Sequence, residues 1–320
     1  MLNVFFTVDT QTRCKAWGEV DLDFADAFQR YVYGPTKQGN CALPLTFEVL
    51  NDNGLVGSYF VETLFALNFG MEPLQEVVSL VKNAGHEVQL QIQPEWVKES
   101  KIQLFDEDLP RRTSLSDFTL EQQTTLIDVG LDLFKRTGVE GINAFRAGNY
   151  GFNRDTLKAL DANGIRIDCS YNKLSQAGIA DVLPEQLLLQ PTTLDGIVIY
   201  PVTVFGDSNR QSLRCLELTT CSYREFESVL FQAVEAEWSC VVIVTNSFGL
   251  MTAGQERLDP IVFKRFKSLC QLLSDHADLF NVRGFRGLQP QAVSQQPTIP
   301  VSGQLNHNLR IGEQAIRRVV

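Results

Sequence analysis

Histidine is nearly absent from this chain: His86, His276 and His307 are the only three among 320 residues. A centre with two imidazole ligands and a third, catalytic imidazole would need all of them, yet their contexts differ. His86 opens a strand-like run, His276 lies in a helical pattern and His307 falls in the tail. Basic charge is also short. The formal net charge of −10 argues against a general binder of nucleic-acid backbones and against attraction to an anionic membrane. No apolar run approaches the roughly 20 residues that span a bilayer. The first residues have no basic stretch ahead of an apolar one, so they read as neither signal nor transit peptide. Seven cysteines, at positions 14, 41, 169, 215, 221, 240 and 270, form no Cys-x-x-Cys pair. Scattered and odd in number, they suit reduced thiols in a cytoplasmic protein rather than a disulfide framework or zinc knuckle.

What is present is ordinary for a globular protein, with 44% hydrophobic and 21% charged residues. Short apolar runs alternate with amphipathic segments. Leu2–Val8, Val56–Val61, Val88–Ile92, Gly141–Phe145, Ile165–Asp168, Gly196–Val202, Cys240–Thr245 and Phe280–Val282 read as strands. Helical spacing recurs over 20–33, 45–53, 73–84, 120–137, 153–163, 223–237 and 260–276. This alternation predicts an α/β fold, a distorted (β/α) barrel over residues 1–286. A Gln- and Pro-rich linker is expected over 287–303, then a helix over 304–320. That helix would dock through Leu309, Ile311, Ile316 and Val319, leaving Arg310, Arg317 and Arg318 in water.

One segment stands apart, Val88-Gln-Leu-Gln-Ile-Gln-Pro-Glu-Trp96. Side chains alternate along a strand, so Gln89, Gln91 and Gln93 share one face. In a helix-covered barrel the other face is buried under helices, which turns the glutamine row toward the cavity. Active sites of such barrels form where strands end. The residues to read together are therefore Asp9 and Gln11, Gln91 and Gln93, Arg146 in Phe145-Arg-Ala-Gly-Asn-Tyr-Gly151, Asp168, and Asn246 in Val244-Thr-Asn-Ser-Phe-Gly249.

In these segments, taken in order, the chain resembles the polysaccharide deacetylases (NodB homology, carbohydrate esterase family 4). It is most similar to a branch with Asp-x-Glu, His-x-His-Pro-Glu-Trp, Phe-Arg-Ala-Gly-Asn-Tyr-Gly and a late His-Ser-Phe. The resemblance runs from Thr7 to about Gly284. It implies a barrel hydrolase that uses a divalent metal such as zinc on carbohydrate. It also implies that Asp9 matches the general base, Arg146 the arginine orienting it, Gln91 and Gln93 the two metal-binding histidines, and Asn246 the histidine protonating the leaving group. Gln11 stands where the branch has its glutamate.

Amides thus replace the imidazoles. A glutamine oxygen is a poor zinc ligand, and asparagine cannot act as an acid catalyst. The resulting expectation is no metal and no other cofactor, with Asp9 and Arg146 a remnant base and its partner, held as a buried ion pair. Gln91, Gln93, Trp96, Tyr150 and Asn246 would bind a carbohydrate. Gly148 and Gly151 are expected as turn formers. The function expected is non-catalytic: carbohydrate binding, or a protein-partner role in polysaccharide metabolism, with no nucleic acid. Two alternatives stay open. One is an active carbohydrate N- or O-deacetylase using Asp9 with an altered metal site. The other is a structural interaction protein with a collapsed site.

Overall fold

Strand β1 (Leu2–Thr10) is the axis of the molecule, buried on both faces. Val4, Phe6 and Val8 point outward to the helices, while Phe5 points into the barrel lumen. A continuous apolar run is what a parallel strand covered on both sides requires. The protein is described here from a computed structural model, for residues 1–15, 17–175, 182, 187–207 and 212–317.

Parallel to β1 run β2 (Ser58–Glu62), β3 (Glu87–Ile92), β4 (Ala144–Ala147), β5 (Ile167–Asp168) and β7 (Ile197–Ile199). The short β6 (Thr192–Leu194) pairs antiparallel with β7. On the other edge of β1 lies β10 (Cys240–Asn246), while β11 (Phe280–Val282) pairs with Leu2–Val4 on the same edge as β2. The sheet order is β10-β1-β2-β3-β4-β5-β7-β6, with β11 also on β1. The sheet curls into a distorted barrel rather than closing strand to strand. Its free edge at β10 is met by loop backbone instead. Thr203 N donates to Val242 O at 3.2 Å, Leu218 N to Val244 O at 3.0 Å, and Val244 N to Leu216 O at 3.1 Å. A hairpin of β8 (Val204–Gly206) and β9 (Leu213–Cys215) flanks this seam.

The outer helices follow the expected spacing. Helix α1 covers Val20–Phe28 and α2 covers Leu43–Asp52. Helix α3 (Met71–Asn83) buries Leu74, Val77, Val78 and Val81. Helices α4 (Leu120–Arg136), α5 (Arg154–Ala162) and α6 (Tyr223–Glu235) start at capping boxes led by Thr119, Asn153 and Ser222. Helix α7 (Pro260–Asp275) has Asp259 as cap and proline at its first position.

The last helix, α8 (Gln304–Arg317), packs by a face opposite in character to the expected one. Arg310 is buried and pairs with Glu225 and Asp207 at 2.9 and 3.1 Å, while Leu309, Ile311 and Ile316 are exposed. Arg317 reaches Asp259 at 2.7 Å, and Glu313 receives Arg265 at 2.6 Å. Carboxylates on the barrel side select the basic face of the helix, because a buried carboxylate such as Glu225 needs a charged partner. Arg318 and Val319 lie outside the described residues. The Gln- and Pro-rich stretch before α8 lies along the barrel: the Gln296 amide oxygen accepts from Leu189 N at 2.7 Å and Gln190 N at 2.8 Å.

The lumen has a sealed floor at the strands' N-terminal end. Phe5, Phe60, Tyr200 and Phe285 fill it, with Phe5 stacked on Phe285 at 4.4 Å. Glu87 accepts from Phe285 N at 3.0 Å, Arg286 N at 3.1 Å and Gln89 Nε2 at 2.5 Å. Gln89 in turn accepts from Asn143 N and Ala144 N. The glutamine face of β3 therefore does point inward.

Candidate functional site

At the opposite end, where the strands finish, a cavity of about 510 Å³ opens between β1, β10 and the β9 seam. Asp9, Gln11 and Arg13 follow or end β1, Asn246 ends β10, and Tyr150 follows β4. Asp9 and Asn246 are paired in register, which sets them side by side in the wall.

Arg146 lies behind this wall, fully buried. Its Nη1 donates to Asp9 Oδ1 at 2.8 Å, Nη2 to Thr7 Oγ1 at 3.0 Å and Nε to Cys169 O at 3.0 Å. The guanidinium also sits 4.3 Å over the Phe60 ring. Tyr150 OH reaches Asp9 Oδ2 at 3.4 Å. Burial, together with the neighbouring Asp9 carboxylate, pushes the Tyr150 phenol well above its ordinary value, so it remains a donor at neutral pH.

Tyr150 is placed by backbone in an unusual conformation. Asn149 and Tyr150 both take left-handed φ, 54° and 59°, which non-glycine residues rarely adopt. The glycines beside them bracket a turn, as expected, with Gly151 N donating to Gly148 O at 3.1 Å, and they also allow close approach. A Cβ on Gly148 would come within 2.8 Å of Ile92 O, and one on Gly151 within 2.7 Å of Ser114 Cβ. Asn149 is locked by its own amide, which donates to Glu95 Oε1 at 3.1 Å and Thr113 O at 2.9 Å.

The two glutamines in the family's metal-ligand positions do not line the cavity. Gln93 is tied into a chain: its Nε2 donates to Glu95 Oε2 at 2.7 Å. With the Gln11 amide oriented by its partners, Gln11 donates to Gln93 Oε1 at 2.8 Å and accepts from Arg13 Nη2 at 2.9 Å. Gln91 is 2% exposed and its Oε1 has no hydrogen-bond partner. Asn246 Oδ1, Thr10 Oγ1 and Ser247 Oγ are likewise buried and unpartnered at this end.

Trp96, expected at the sugar-binding surface, is 0% exposed. It packs edge-on against Trp17 at 5.0 Å and Phe69 at 5.9 Å. It belongs to the outer core, because the turn after β3 carries its ring under the helices. Asp168 is also turned away: Ser170 N and Oγ donate to it at 3.0 and 2.6 Å, and burial raises its carboxyl to about 7. None of the three histidines comes near the cavity. His86 packs against Phe47 and Tyr59, with burial lowering it to about 4, and His307 pairs with Asp207 on α8.

Sequence reading missed Glu62, and also Arg13 and Arg214 of the cavity wall. Glu62 ends β2, stands beside Gln91 in register and is fully buried. Burial pushes its carboxyl up to about 8, although Leu64 N donates to it at 2.6 Å and Phe65 N at 3.2 Å. The signal was present in Ser58-Tyr-Phe-Val-Glu62, a carboxylate directly after an apolar strand.

A divalent cation does not fit this donor set. Asp9, the carboxylate matched to the general base beside the metal-ligand positions, has both oxygens turned to Arg146 and Tyr150. The remaining groups are amides, weak ligands for zinc. Among the described residues no three His, Cys, Asp or Glu side chains gather as a metal-holding group.

No protein-family model matches the sequence, and no curated protein matches it. Solved structures do share its fold. A protein from Mycobacterium smegmatis assigned as a polysaccharide deacetylase superposes with a TM-score of 0.56 at 15% identity, over 92% of this chain and 94% of that one. The 4-alpha-glucanotransferase of Thermococcus litoralis gives a TM-score of 0.54 at 11% identity, over 91% of this chain but 41% of that one. Likeness at such identities establishes the fold, a distorted (β/α) barrel of the polysaccharide deacetylase type.

Proposed function

We propose that this chain binds a saccharide at the mouth of a deacetylase-type barrel and does not carry out metal-dependent deacetylation there. The observation that carries the reading is the cavity of about 510 Å³ walled by Asp9, Gln11, Tyr150 and Asn246. Such a wall offers donors and acceptors on an aromatic surface, the chemistry that hydroxyl-rich ligands need. Its unpartnered Asn246 Oδ1 supports the same reading, since a buried polar atom without a partner calls for a ligand or water. The solved relatives that share the fold act on carbohydrate by name, which agrees with a sugar ligand.

Within this reading Arg146 is a positioning residue, holding Asp9 toward the cavity, and Tyr150 OH donates to the same carboxylate. Asp9 accepts hydrogen bonds from sugar hydroxyls, and the Tyr150 ring offers a stacking face.

Calorimetric titration of the full chain with N-acetylated and non-acetylated oligosaccharides tests this. Saturable binding is expected, lost on Tyr150→Ala, with no acetate released and no metal retained after incubation with zinc and desalting. Acetate release that depends on bound metal would overturn the non-catalytic reading. Absence of binding to any saccharide would overturn the reading as a whole.

A further inference from the structure

The chain is acidic, yet the cavity wall carries two arginines, Arg13 and Arg214, with no carboxylate at ion-pair distance among the described residues. Four charged residues stand in its wall: Asp9, Arg13, Arg214 and Glu217. Asp9 is matched by Arg146 from behind. Glu217 receives the hydroxyls of Thr219 at 2.5 Å and Thr220 at 3.4 Å, which leave its charge in place. The wall itself therefore holds two guanidiniums and two carboxylates, but Asp9 is already engaged by Arg146, and neither Arg13 nor Arg214 forms an ion pair across the cavity.

Both arginines are held rather than free. Arg214 is half-buried on β9, with Nη2 donating to Thr220 O at 3.0 Å and Nε buried without any partner. Arg13 is steered by Gln11, whose oxygen accepts from Nη2 at 2.9 Å and Nε at 3.3 Å. The chain Gln11–Gln93–Glu95–Asn149 thus ends in a guanidinium fixed at the cavity. Where a metal-binding barrel would place a cation at this mouth, the amides here position a cationic side chain. A planar guanidinium prefers an oxyanion over a neutral hydroxyl, because charge-assisted, forked hydrogen bonds are the stronger ones.

Resting on the saccharide-binding reading above, we propose that the ligand is a saccharide bearing an oxyanion, a carboxylate or a phosphate, recognised by Arg13 and Arg214. The remaining wall, with Tyr150, Asn172 and Asn246, would meet the neutral part of the sugar.

The test is titration of the full chain with three probes: a galacturonic acid trisaccharide, N-acetylglucosamine 1-phosphate and chitotriose, each at low and high salt. At least one anionic probe is expected to bind about tenfold more tightly than chitotriose and to weaken as salt rises. Whichever anion binds better identifies the source of the charge. Arg13→Gln and Arg214→Gln should each weaken the anionic probe about tenfold while leaving chitotriose within about twofold. Arg214→Lys should restore only part of the loss. Arg13 is exposed, so Arg13→Gln retains the fold and carries the test should Arg214→Gln unfold. Equal binding of neutral and anionic probes, or indifference to both arginines, overturns this inference and leaves the saccharide reading standing. If none of the probes binds, both fall.

Discussion

The two ends of the barrel lumen are both polar, and they differ in how completely that polarity is satisfied. At the floor, Glu87 accepts three hydrogen bonds, and Gln89 spends its nitrogen on Glu87 and Asn143 and its oxygen on two backbone amides, with Ser58 Oγ beside them left unpartnered. At the mouth, Gln91 Oε1, Asn246 Oδ1 and Thr10 Oγ1 are buried with nothing bound to them. The same strand, β3, supplies glutamines to both ends. A satisfied buried network stiffens a fold, whereas unsatisfied groups mark a place where stability has been given up for something else. Residue type alone therefore does not separate scaffold from site; the share of unpartnered groups, larger at the mouth, is the more telling difference.

The sharpest way to break this contrast is Arg146→Ala. It strands Asp9, Thr7 and the Cys169 carbonyl, and is expected to cost about 3–5 kcal/mol in urea unfolding. A loss under about 1 kcal/mol would mean that the mouth has no structural member at all. Next comes the floor itself. Glu87→Ala leaves two backbone amides without an acceptor and one of the two Gln89 N–H groups unpaired, for about 3 kcal/mol, read from the same urea curves.

A third effect follows from Glu62, whose folded value of about 8 lies above the ordinary 4.5. The folded state keeps a proton that the unfolded chain releases, so this contribution is fully present below about 4.5 and is lost as pH rises through 8. Urea midpoints should fall across that window, Glu62 adding a limiting slope of about 1.4 kcal/mol per pH unit to the fall that Asp168, raised to about 7, causes over the same range, and Glu62→Gln should lessen the slope. Flat midpoints in the parent protein would refute the assignment. The smallest effect is Gln91→Leu, expected within about 0.5 kcal/mol of the parent by thermal melting, because its oxygen has no partner to lose. A cost comparable to Glu87→Ala would erase the distinction between the ends.

Much of the fold was legible because strands and helices here announce themselves by period. The inward direction of Gln89 followed from alternation alone. The apolar face of α3 followed from its spacing. Other features depended on partners remote in sequence. Arg310 turns inward to meet Glu225 and Asp207, more than 80 residues away, and hydropathy reads the same helix the other way round. Trp96 follows a motif that suggested a groove, yet Trp17, Phe24 and Phe69 close over it. Strands β8 and β9 have three residues each, too short for a periodic signal. Of the candidate site, Asp9, Tyr150 and Asn246 were readable as strand-end residues. Arg13 and Arg214 were not, since an arginine in a loop looks the same whether or not it faces a cavity.

The Arg146–Asp9 ion pair joins residues 137 positions apart, and Tyr150 meets Asp9 across 141. Contacts of such range close large loops and come together only when the strands between them are already in place. Closing the mouth therefore carries a larger loop-closure cost than pairing neighbours in sequence. A chain that has collapsed but not completed its sheet would hold Asp9 and Tyr150 apart, so the proposed saccharide binding is expected to appear in refolding experiments after secondary structure, and to be missing from a fragment that lacks Arg214 and Asn246.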